Sequence, residues 1–107
     1  MLPDIPLPPA VETRLQEILQ IDEWSHARSI DVAEGGQRTP ELTAWAHATN
    51  ERLQAVAGEL RAISPVAHTA YLQVISEAAM DLVYLGHPDT PYLSIRTAAL
   101  LKMTDRL

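Results

Sequence analysis

The sequence predicts an all-α fold: a four-helix, antiparallel, bundle-like single domain. Three observations carry this. Four runs place apolar residues at helical spacing. Each run is opened by a proline, a residue well tolerated at the first helical position. No segment alternates apolar and polar residues with the period of two that a half-buried strand needs. Short connections between the runs favour antiparallel neighbours around one core. A three-helix core with a broken first helix is the alternative arrangement. Residues 1–8, "MLPDIPLP", form an extended proline-rich arm, and 9–107 make up the single helical domain.

The first run spans about 9–33 and is closed by "EGGQR". Val11, Leu15, Ile18 and Leu19 share its apolar face. The following stretch, "IDEWSHARS" (21–29), would continue that face with Asp22, His26 and Ser29. Three readings of this switch stay open. The helix breaks near Asp22, so that Ile21, Trp24 and Ile30 do the packing. Alternatively, Asp22 and a distant arginine form a buried ion pair, with His26 as its third member, because a buried charge is costly unless paired. Or the polar residues line a ligand or metal site.

The second run, about 40–63, begins at "TP" with a threonine suited to capping. Leu42, Trp45, Ala46, Leu53, Val56, Leu60 and Ile63 share one face, which also carries Thr49. The third run, about 65–85, begins at "SP" and ends at "GHPD", with a glycine where a C-cap belongs. Its face holds Val74, Ile75, Ala78, Ala79, Leu82 and Leu85, joined by Tyr71. Leu72 and Val83 widen it to about half the circumference, which suits a central helix or a subunit interface. His68 falls on this face beside Leu72, Ile75 and Ala79. The fourth run, about 91–105, lines up Tyr92, Ala99, Leu100, Met103 and Leu107, with Arg96 near the centre of the face and Leu101 outward. Arg96 is the arginine expected to pair with Asp22.

Composition narrows the function classes. A chain of 107 residues that is 47% hydrophobic folds as one domain. It contains no cysteine, which excludes disulfides, thiolate catalysis and sulfur-based zinc sites, and suits a reducing cytoplasm. No apolar run approaches the roughly 20 residues of a membrane span. The start lacks the basic and apolar segments of a signal peptide. A net charge of −6 with scattered Lys and Arg argues against nucleic acid, which requires a concentrated basic face.

Two stretches resemble known families. "EWSH" places Glu23 and His26 at the Glu-x-x-His spacing of carboxylate-bridged di-iron helices. "PELTAWAHATNE" (40–51) resembles a stretch of the encapsulated ferritin-like proteins. The positions of that family's iron-binding glutamate and histidine carry Leu53 and Val56 here, while His47 and Glu51 fall opposite the apolar stripe. "GEL" (58–60) and "ISEAAMDLVYL" (75–85) resemble the MazG-like nucleotide pyrophosphohydrolases. Those are all-α proteins that bind Mg²⁺ through a Glu-Glu-x-x-Glu motif followed by Glu-x-x-Asp. The resemblance implies a metal role for Glu59, Glu77 and Asp81. The first two glutamates of the motif are replaced by Ala55 and Val56, and Glu77 and Asp81 stand one residue too far apart. Glu77 projects to the polar side of its helix, and Asp81 lies at the edge of the apolar face. The resemblance therefore implies a degenerate relative.

Nucleophilic catalysis finds no support. Ser25, Ser29, His26 and Asp22 are neighbours, but no Gly-x-Ser-x-Gly turn presents a serine. "GG" at 35–36 stands alone, and His87 in "GHPD" reads as loop. The expectation is a non-enzymatic helical module acting through protein contacts, by self-association or as an accessory subunit. It has no cofactor, no resident metal, no catalytic residue, and no nucleic-acid or membrane partner. The competing expectation is a small-ligand binder or enzyme with a pocket between helices, lined by Asp22, His26, Thr49, His68 and Arg96.

Overall fold

The computed structural model describes residues 7–87, which form four helices: α1 (Pro9–Ala33), α2 (Pro40–Ile63), α3 (Pro65–Ala70) and α4 (Leu72–Gly86). The domain is an all-α, four-helix, bundle-like unit, with no strand among the described residues. The expected fourth run, 91–105, lies outside the described residues. So do 1–6 of the expected arm, whose Leu7 packs against the core.

Local chemistry sets the helix ends. Pro9, Pro40 and Pro65 each stand at the first helical position. The Thr39 hydroxyl accepts from the Leu42 amide at 3.1 Å, and the Ser64 hydroxyl accepts from the Ala67 amide at 3.2 Å, so two orphan donors are satisfied. At the other end of α1 the chain makes a Schellman turn. The Gly36 amide donates to the Asp31 carbonyl at 2.9 Å and the Gly35 amide to that of Val32 at 3.1 Å. Gly35 takes a φ of +108°, which a side chain would strain.

α1 is continuous through Asp22, so the broken-helix reading is corrected. Its buried stripe runs Val11, Leu15, Ile18, Ile21, Ser25 and Ser29. The face rotates by one residue at Ile21, which leaves Asp22 half-buried at its margin and His26 exposed. Trp24 and Ile30, the other two residues offered for packing, stay exposed. The third run is not one helix. It is interrupted at Tyr71, which divides it into α3 and α4, although no proline or glycine marks the break.

α1, α2 and α4 all pack against one another, while α3 packs chiefly on α2. Arg14–Glu59 at 3.7 Å and the Arg52–Glu17 pair join α1 to α2 in antiparallel order. His47, in the first half of α2, meets the last turn of α4, so α2 opposes α4 as well. The shared core is Val11, Leu15, Ile18 and Ile21 from α1; Leu53, Val56 and Leu60 from α2; Ile75, Leu82 and Leu85 from α4. Leu72, Val83 and Ile63, expected on apolar faces, remain exposed. Arg38, from the α1–α2 connection, closes the end of α4. It donates to the Tyr84 carbonyl at 2.6 Å and lies 4.2 Å above the Tyr84 ring. A cation there satisfies a terminal carbonyl and complements the helix dipole.

Candidate functional site

Among the described residues, the polar side chains singled out from the sequence do not gather at one point. They divide between the two sides of α1 and the corner beyond α2.

On the α4 side, Asp81 is buried, and its Oδ2 lies 3.6 Å from His26 Nδ1. Ser29 is also buried, and its hydroxyl donates to the Asp81 carbonyl oxygen at 3.4 Å. Ser25 is buried one turn earlier and donates to the Asp22 carbonyl at 3.2 Å within its own helix. Serine suits these positions for two reasons. It is small enough to let the α4 backbone approach, and its hydroxyl finds a carbonyl without needing water. His26 therefore stands beside Asp81, an imidazole at the rim next to a buried carboxylate.

On the α2 side, α1 and α2 enclose an open groove of about 580 Å³. It is lined by Gln20, Ile21 and Trp24 from α1 and by Ala48, Thr49 and Arg52 from α2, with Glu17 opposite Arg52. Arg52 grips the Glu17 carboxylate with two donors, Nη2 reaching Oε1 at 2.9 Å. That hydrogen bond holds the Glu17 carboxyl below its ordinary value, helped by the positive charges of Arg52 and Arg14 and opposed by partial burial. The same bond raises Arg52. One turn beyond Trp24, the Arg28 guanidinium lies 4.4 Å from the Trp45 ring centroid. Both tryptophans of the chain are thus associated with the α1–α2 side.

Thr49 faces this groove, while His26 meets Asp81 across α1. His68 is half-buried on α3, and the break at Tyr71 removes it from the helix that carries Ile75 and Ala79. Arg96 lies outside the described residues. Glu59 is tied to Arg14 on the α1–α2 side. Among the described residues no three His, Asp or Glu side chains come close enough to hold a metal ion, so Glu59, Glu77 and Asp81 form no cage. His47 and Glu51 are both exposed on α2.

Two features lie beyond the reach of sequence reading. The helical pattern puts Asp81 at the edge of its face, and only the approach of α1 buries it. His87 reads as loop, yet its ring stands beside that of His47, with centroids 5.4 Å apart. The residues are 40 positions apart, so no spacing rule could have joined them. No family model matches the chain, and comparison with curated proteins and with solved structures returns no match.

Proposed function

We propose that the protein is a non-enzymatic helical module that works through protein contacts, and that the α1–α2 groove is its contact face. One observation carries this reading: an open groove floored by Ile21 and edged by Trp24, which stays 44% exposed. Tryptophan and arginine are among the residues that dominate binding energy at protein interfaces, and here Trp24 and Arg52 line the groove, with Arg28 over the Trp45 ring one turn beyond Trp24. The face carries both signs of charge, Glu17 paired with Arg52, so it can be complementary to itself across a two-fold axis. Self-association is the form this reading takes, and a cytoplasmic setting suits its cysteine-free sequence.

Light scattering over a wide dilution range tests it. A concentration-dependent dimer is expected, and Trp24→Ala should weaken it by about thirtyfold, the effect of losing a hot-spot residue. A monomer at every concentration would overturn self-association.

A second reading, small-ligand binding, draws on the groove's volume, which falls in the range of ligand pockets. Thr49 lines that groove, but Asp22, His26 and His68 do not. The acid there, Glu17, is engaged by Arg52.

A further inference from the structure

The junction of α2 with the end of α4 carries two histidines that neither the core nor the groove uses. The rings of His47 and His87 stand 5.4 Å apart, nearly perpendicular at 87°. Both residues are exposed. Among the described residues no hydrogen bond or ion pair engages either imidazole.

Their placement has a structural cause. Gly86 is the last residue of α4 and is buried. Its φ is not positive, since Gly35 alone takes a positive φ among the described glycines, so the backbone does not demand glycine there. Space does. A Cβ at position 86 would lie 3.1 Å from His47 Cε1 and 3.3 Å from Nε2. The missing side chain lets the His47 imidazole lie against the helix end. The next residue, His87, is anchored by its amide, which donates to the Val83 carbonyl at 3.0 Å.

We propose that His47 and His87 form a two-imidazole site for a borderline transition-metal ion of the Zn²⁺, Cu²⁺ or Ni²⁺ class. Metal–nitrogen bonds of about 2.0–2.1 Å at a near-tetrahedral angle leave two coordinated imidazole centroids roughly 5–5.5 Å apart. The observed centroid separation of 5.4 Å falls in that range. Both rings are exposed, and a shared ion requires one nitrogen of each to turn toward a common point. Imidazole is a preferred ligand for these ions, whereas Mg²⁺ and Ca²⁺ take oxygen ligands. Among the described residues no third His, Asp or Glu joins them. A bound ion ties the first half of α2 to the end of α4 and stabilises the fold by mass action.

Titration calorimetry of the full chain with Zn²⁺, Cu²⁺ and Ni²⁺ tests this, paired with thermal unfolding with and without metal. One ion should bind per chain and raise the melting temperature, and Mg²⁺ should do neither. His47→Ala and His87→Ala should each weaken binding by about a hundredfold, the lower end of the gain from joining two ligands in one site, and each should abolish the thermal shift. His68→Ala should leave both intact. Circular dichroism confirms that the variants fold, and His47→Gln preserves side-chain bulk beside Gly86. Equal binding by wild type and the two histidine variants would overturn the proposal. So would metal binding without a thermal shift, which marks scattered single-histidine binding.

Discussion

Ser29 is buried between α1 and α4, and its side chain is the smallest that can both fill the contact and hydrogen-bond across it. The hydroxyl reaches the Asp81 carbonyl at 3.4 Å, and the residue is fully buried. Removing the hydroxyl forfeits one long hydrogen bond, so Ser29→Ala should cost about 1 kcal/mol or less. Ser29→Leu forces a larger, branched side chain into a closed contact, and overpacking of that kind costs about 1–3 kcal/mol. Chemical denaturation of both variants checks the order. If leucine were tolerated as well as alanine, the two helices would not be held at the separation described. The apolar-to-polar switch in "IDEWSHARS" thus marks a close approach of two helices. Its inward residues are the serines, with Asp22 and His26 beside them.

At the scale of elements, the antiparallel register of α1 and α2 is marked on its surface by Arg14–Glu59 and Arg52–Glu17. The Glu17 carboxyl is held below its ordinary value of 4.5, first by the Arg52 hydrogen bond. A group with a depressed folded pKa contributes stability above its unfolded pKa and loses it as pH falls through the folded value. Glu17→Gln should therefore lower stability slightly at neutral pH, with wild type and variant converging as pH falls below about 4.5. The difference should shrink with added salt, because the pair is exposed. Melting temperatures at pH 3 and pH 7, with and without salt, measure both trends. A difference that persists at pH 3 would mean that the substituted amide disturbs packing and that the lost charge is not the cause.

For the whole molecule, the decisive fact is that α1, α2 and α4 share one core. Leu53 and Leu82, from different helices, are both buried within it. Leu53→Ala or Leu82→Ala should each cost about 2–5 kcal/mol, a large part of the stability of a small domain. Each should lower the whole unfolding transition together, without detaching one helix. Denaturation followed by circular dichroism and by tryptophan fluorescence checks this, since coincident transitions mark a single cooperative unit. Two separate transitions would show that the helices unfold independently.

The sequence by itself determined the helical class, the full spans of α1 and α2, two of the caps and most of the core. These depend on short-range rules: proline at the first turn, hydroxyls before it, and apolar residues every three to four positions. Only the tertiary structure decided that the buried face of α1 turns by one residue at Ile21, since that depends on where α4 lies. It alone separated Thr49 from His26, since Thr49 lines the α1–α2 groove whereas His26 meets Asp81 of α4. It showed that Gly86 makes room for His47 and is no C-cap. The interruption at Tyr71 has no local mark in the sequence, and it places His68 on α3 and Ile75 on α4. The candidate sites were hard to read for the same reason. His26–Asp81 and His47–His87 join residues many positions apart, and such pairs exist only once the helices have packed.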